Sequence, residues 1–201
     1  MGKFFIALGI IGFLALMLWC AWLIYTRIAA GRILRESRNK KSFTFNYLYV
    51  RFSRSNVIND VKLLIRNKEG QFLADMGLVF VNRGGVILIE TVQGSGYIDI
   101  TEGGPWNRIS NNKFYTFADP FILCKNREKA MKSFLRHNGM DNIPVHSLVL
   151  FSGKRVKFSK KLRSLITAEE LAPYLADINK DRFLSGKEIK QVVKLFRQRG
   201  E

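Results

Sequence analysis

The chain has 201 residues and only two cysteines, and its 33 Lys and Arg outnumber its 16 Asp and Glu to give a formal charge of +17. That length holds one ordinary domain plus an appendage. Two cysteines exclude a disulfide framework, and the charge selects anionic partners such as lipid headgroups or a phosphate backbone.

Phe4 to Tyr25 is a run of 22 residues without a charge. As a helix it would measure about 33 Å at ~1.5 Å per residue, enough to cross a hydrocarbon core of ~30 Å. Trp19, Trp22 and Tyr25 gather toward one end like an interfacial belt. The run is longer than the ~7–15 residues of a signal-peptide core and no small-x-small cleavage site follows, so residues 4–25 are predicted to be a retained transmembrane helix. After it come Arg27, Arg32, Arg35, Arg38, Lys40 and Lys41 against a single Glu36. The positive-inside rule then predicts a single-pass protein of the cell inner membrane with its soluble domain in the cytoplasm. Residues 26–42 form a basic juxtamembrane segment whose cations, at 27–41, would meet anionic lipid headgroups.

Phe43, Phe45, Tyr47 and Tyr49 recur at period two in residues 43–52 and predict a strand. Residues 57–65, VINDVKLLI, predict another, closed by the turn Asn67-Lys68-Glu69-Gly70. In GLVFVNRGGVILIETV, residues 77–92, two apolar β-branched runs flank Asn82-Arg83-Gly84-Gly85. They read as a hairpin of buried strands with Glu90 at a strand end. Gly94-Ser95-Gly96 turns into a strand at 97–100. A loop through Gly103-Gly104-Pro105-Trp106 precedes a short strand at 114–117. Asp119-Pro120 starts a helix whose Ala130, Met131, Phe134 and Leu135 share a face, and His137-Asn138-Gly139 stops it. Residues 145–151, VHSLVLF, return as an apolar strand, and two helices follow at roughly 168–176 and 187–198. The order predicts an α/β or α+β domain with a mixed central sheet flanked by helices, without repeats or low-complexity tracts.

A carboxylate at a core strand end is either a solubilising terminus or a metal ligand facing a crevice. If Asp75 of the preceding strand converges with Glu90, the two acids suit Mg²⁺, which takes one or two protein oxygens and leaves the other positions to water and phosphate. A second basic cluster, Lys154, Arg155, Lys157, Lys160, Lys161 and Arg163, is a candidate nucleic-acid surface, with a membrane-facing or solvated surface as the alternative. Asp177, Asn179, Asp181, Ser185 and Glu188 have the spacing of a calcium loop, but Arg182 stands where glycine makes the turn. The rival assignment is a Ser185-x-x-Glu188 capping box opening the last helix. His137, His146 and Cys124 fit no familiar zinc spacing. The sequence contains no phosphate-cradling glycine loop of Walker or Rossmann type and no nucleophile with a recognisable partner set.

The runs VINDVKLLI, GLVFVNRGGVILIETVQGSGYI, PWNRISNNKFYTFADP and IPVHSLVLFS, in that order, resemble the nuclease-related domain, a branch of the PD-(D/E)xK nuclease-like fold. The resemblance covers about residues 55–195 and implies a restriction-endonuclease-like sheet with metal-dependent DNA cleavage. The domain is accordingly assigned to 43–201, ending in a helix pair. Carried over position by position, the family's Glu-Thr falls on Glu90-Thr91 and its Asn-Pro on Asp119-Pro120. Its Asp-His falls on Gly77-Leu78, its Lys on Val92 and its Gln on Leu123. Loss of the acid and the lysine implies a degenerate site, with Asp75 standing in for the acid and Lys62, Arg83 or Lys113 as candidates for the missing cation. The resulting expectation is a membrane-anchored, nucleic-acid-binding protein with a degenerate site. An active Mg²⁺-dependent endonuclease and a non-enzymatic scaffold for lipid or protein are the alternatives.

Overall fold

A computed structural model describes residues 42–52, 56–67 and 70–198, together with Met17 and Trp19. The chain divides into two units, Met1–Phe52 and Ser53–Glu201. In the first, helix α1 spans Ser42–Arg51. The predicted strand at 43–52 is therefore corrected to a helix. The same residues carry a second period, since Thr44, Tyr47 and Leu48 are buried at the i, i+3, i+4 spacing of one helical face. Aromatic residues favour strands only where a pleated surface exists to receive them.

The predicted transmembrane helix 4–25 and the basic segment 26–42 lie outside the described residues, apart from Met17, Trp19 and the first residue of α1. The expected single-pass placement in the inner membrane with a cytoplasmic domain is corrected, because among the described residues no helix is long and apolar enough to cross a membrane. The longest described helix shows why. Its 18 residues, Pro120–His137, include Lys125, Arg127, Glu128, Lys129, Lys132 and Arg136, each costly to bring into hydrocarbon.

The second unit is a mixed α/β fold with two mixed sheets. Strands β1 (Val57–Asn67), β2 (Gly70–Asn82) and β3 (Gly85–Val92) form an antiparallel meander. After β3 the chain builds β4 (Gly96–Asp99), β5 (Trp106–Ser110) and β6 (Lys113–Phe117), then helix α2 (Pro120–His137). It re-enters the first sheet at β7 (Val145–Phe151), parallel to β3. Strand β8 (Val156–Phe158) joins the second sheet, β9 (Leu165–Thr167) the first, and helices α3 (Leu171–Ile178) and α4 (Gly186–Gln198) close the described chain. The sheet orders are β1-β2-β3-β7-β9 and β6-β5-β4-β8.

Both runs of the central hairpin are buried, as expected for β2 and β3, but β2 begins at Gly70 and carries its polar half out along β1. Strands β8 and β9, three residues each, are too short to display a period, and β5 begins at Trp106, which the glycine- and proline-rich run before it assigns to a loop. Helix α2 starts as its signals predict: the Asp119 carboxylate accepts the Phe121 N–H at 2.8 Å, and Pro120 takes the first helical position. Met131, Phe134 and Leu135 of α2 and Val192 and Phe196 of α4 pack with Val79 and Val81 of the first sheet in one apolar cluster. A second cluster joins Trp106 and Ile98 of the second sheet to Phe151 of β7 and Cys124 of α2. Helix α2 thus serves both clusters, and its flanks face two different environments.

The β2–β3 turn is held close to α3. A Cβ at Gly84 would lie 2.1 Å from the Ile178 carbonyl oxygen, so Gly84→Ala forces the two backbones apart. Overpacking of this kind costs about 1–3 kcal/mol, roughly 3–10 °C of thermal midpoint for a chain of this size. A calorimetric melt of the variant that matches wild type would show that this contact is not needed for stability.

Candidate functional site

Strand β2 is irregular where the site is built. Val61 pairs with Gly77 and Lys62 with Asp75, so Met76 is an extra residue and the strand bulges. Gly77 adopts φ +64°, a left-handed backbone that glycine enters without steric cost. The bulge is stitched by the Asp75 Oδ1 atom, which accepts the Gly77 N–H at 2.7 Å. Glu90 sits on the neighbouring strand, at the end of the buried run of β3.

Between them lies Arg127 of α2. Its Nη1 donates to Glu90 Oε2 in a short ion-paired hydrogen bond, its Nε donates to the Asp75 carbonyl at 2.8 Å, and its Nη2 lies 3.9 Å from Asp75 Oδ2. The guanidinium also fills the space in front of Gly77, where an added Cβ would stand 3.2 Å from Nη1. Asp75 and Glu90 are thus brought to one point, and a protein cation occupies it. The two pairs differ in worth. The Arg127 and Glu90 side chains are 13% and 26% exposed, whereas Asp75 is 63% exposed, so water screens the second pair far more than the first.

Apolar side chains flank the pair on the Glu90 side. Val92, two residues beyond Glu90, packs on the cluster of Trp106, Ile98 and Phe151. Cys124 is buried there, and its thiol is pushed up to about 12, first by desolvation and then by the Glu90 charge. It is an inert packing group. On the other side Asp75 and Arg127 open onto a cleft of about 400 Å³ walled by Ile65, Phe72, Met76 and Leu123.

Arg127 was the residue missed by the sequence reading. Among the described residues the ion pairs of Asp75 and Glu90 go to it, and Lys62, Arg83 and Lys113 are not the cation. Lys62 stands opposite Asp75 and is exposed, Arg83 is in the turn at the far end of the hairpin, and Lys113 opens β6 in the second sheet. A signal was present: Arg127 lies four residues after Leu123, hence on the same face of α2 one turn later.

The other candidates are dispersed. All six cations of the basic cluster are exposed. Lys154 and Arg155 precede β8 and Lys157 lies on it, at the edge of the second sheet. Lys160 donates to Glu102 at 3.3 Å. Arg163 instead lines a cleft of about 600 Å³ with Lys125, His146, Tyr174 and Asp177.

In the proposed calcium loop, Asp177 accepts from Lys180 at 2.9 Å and the Asn179 Oδ1 atom accepts the Arg83 N–H at 3.2 Å. Glu188 accepts the Ser185 N–H at 2.7 Å while Ser185 Oγ accepts the Glu188 N–H at 3.3 Å. That reciprocal pair is the capping box of α4, and Arg182 tolerates its glycine-like position at φ +50°. The Ser185 hydroxyl holds the Glu188 carboxyl below its usual range. His137 is bonded to the Ser133 carbonyl and His146 to the Gly84 carbonyl. Among the described residues no group of three or more His, Cys, Asp and Glu could hold a metal ion.

The Arg127–Glu90 bridge is testable by a double-mutant cycle. Glu90→Gln leaves a mostly buried guanidinium with a weaker acceptor and should cost about 1.5–3 kcal/mol in a urea titration. Asp75→Asn should cost less than about 1 kcal/mol. Arg127→Met combined with Glu90→Gln should recover part of the single losses, because neither charge is then left alone; strict additivity would deny the coupling.

A model of the nuclease-related domain family matches residues 34–152, more than half of the chain. No curated protein and no solved structure matches.

Proposed function

Because the chain belongs to the nuclease-related domain family, we propose that it is a nuclease-like protein that holds nucleic acid and does not cut it. One observation carries the proposal: the Arg127 guanidinium sits between Glu90 and Asp75, against the vacant side of Gly77. Order and pairing of β1, β2, β3 and β7 with α2 packed on them support a restriction-endonuclease-like sheet.

Nuclease-related domains of the PD-(D/E)xK type are generally metal-dependent, and the residues present do not fit a divalent ion. Mg²⁺ requires near-octahedral oxygen coordination at ~2.0–2.1 Å. Here Gly77 offers no ligand, Val92 brings an apolar side chain instead of an amine, and Glu90 is engaged by a +1 fork that delivers hydrogen bonds but no Lewis acidity. A guanidinium does not lower the pKa of a bound water as a divalent ion does, so the metal route to a hydroxide nucleophile is missing. Binding needs none of this. It needs cations with free reach, and Lys154, Arg155, Lys157 and Lys161 are exposed on the loops and edge around β8.

Two measurements test the proposal on the full chain. Incubation with supercoiled plasmid and Mg²⁺ or Mn²⁺ should leave the plasmid intact; cleavage abolished by Glu90→Ala would overturn it in favour of an active metal-dependent nuclease. Affinity for DNA should fall steeply with salt, and Lys154→Glu with Lys161→Glu should flatten the slope of log K against log salt by about 2 while weakening all sequences alike. Failure to retain any nucleic acid near 50 mM salt would remove the binding half and favour a scaffold.

A further inference from the structure

The outer face of the second sheet carries a row of side chains that the core does not use. Register places Lys157 of β8 beside Tyr97 of β4, Tyr97 beside Ile109 of β5, and Ile109 beside Phe114 of β6. Directly paired residues share a face, so Lys157, Tyr97, Ile109 and Phe114 form one line across all four strands. Its opposite face is the buried one, since Ile98 and Trp106 are 0% and 1% exposed. In the outer row Tyr97 is 42% and Phe114 75% exposed. Aromatic side chains left this open on a sheet face lose the hydrophobic gain that burial would give them.

The neighbouring row is polar. Asp99 pairs with Asn107 and Asn107 with Thr116, and the Thr116 hydroxyl donates to Asn107 Oδ1 at 2.9 Å. The Asp99 carboxylate disfavours phosphate at that end. Cations define the other side: Lys154 and Arg155 stand immediately before β8, Lys157 is on it, and β8 is the edge of the sheet. The β8 end of the aromatic row, next to Tyr97, is therefore basic.

We propose that this face is a stacking platform for single-stranded nucleic acid, with bases lying on Phe114 and Tyr97 and the phosphates following Lys157, Arg155 and Lys154. Tyr97 and Phe114 lie two strands apart, about 10 Å at ~4.8 Å per strand spacing, which leaves the half-buried Ile109 as an apolar floor between two stacked bases. Every base offers a π-face, so recognition is insensitive to sequence, and duplex DNA, whose bases are already stacked, gains nothing from the rings. The platform rests on the nucleic-acid reading proposed above and adds which strand form is bound, where, and by which contacts.

Fluorescence anisotropy of the full chain with a labelled mixed-sequence oligodeoxynucleotide, single-stranded or annealed, tests it. Phe114→Ala and Tyr97→Ala should each weaken single-strand binding about 10-fold, with the salt slope unchanged and duplex affinity unaltered. Phe114→Trp should retain affinity, and its indole fluorescence should be quenched on adding the strand. Both wild-type rings are exposed, so unchanged melting temperatures are expected and a folding defect would be recognised. Wild-type affinity in Phe114→Ala and Tyr97→Ala, or an equal loss for duplex and single strand, overturns the platform while leaving general nucleic-acid binding intact. Absence of binding by wild type to either form at low salt overturns both.

Discussion

A single guanidinium ties helix α2 to two strands of the first sheet, beside the apolar cluster that packs them together. Arg127 reaches from α2 to two strands at once, taking the Asp75 carbonyl on β2 and the Glu90 carboxylate on β3. A rigid planar fork can do this where a lysine could not, since several of its N–H donors point outward in one plane. The contact lies on the helix that serves both apolar clusters. Met131 and Phe134 turn to one and Cys124 to the other. The Gly77 bulge belongs to the same arrangement, because a side chain at 77 would contend with the guanidinium for space.

Electrostatics gives the acid at position 90 a structural role. Bringing Arg127 to 13% exposure removes most of its hydration, and an uncompensated cation there would cost several kcal/mol. Glu90 supplies the compensation at close range, and Asp75 adds a screened contribution from the surface. Both carboxylates are thus engaged with one monovalent guanidinium. Cys124 is buried on the Glu90 side of the pair, its thiol pushed up to about 12 first by desolvation, whereas Asp75 stays 63% exposed on the other side.

How much of this was legible in the sequence depends on whether the signal was local. The central hairpin, β7 and the start of α2 were legible because uninterrupted β-branched runs and an Asp-Pro cap act within a few residues. The capping box at Ser185 and Glu188 was legible for the same reason, and the calcium spacing overlapping it shows that one pattern can serve two local chemistries. What failed was either ambiguous or distant. Residues 42–51 contain both a period of two and a helical face, and propensity could not rank them. The strands β8 and β9 are three residues each. Arg127 meets Glu90 across 37 residues, a pairing that no periodicity records. Charge-free length at 4–25 predicts a membrane span, whereas none of the described helices is both long and apolar enough to cross a bilayer.

The two sheets divide the chemistry between them. In the first, the strand-end acids are satisfied internally, and a ligand arriving there meets a neutralised pair beside an apolar cleft. In the second, aromatic rings and an edge of cations remain unsatisfied by the fold. Internal neutralisation makes the first sheet more stable and less reactive, because the strongest ion pair has no part left to offer a substrate. Residual solvation energy, the source of any binding, therefore lies with groups that folding leaves exposed. On the proposed function, affinity and chemistry have been separated in space. Changes to Arg127 should register as stability, and changes to Tyr97, Phe114 and the cations near β8 should register as binding.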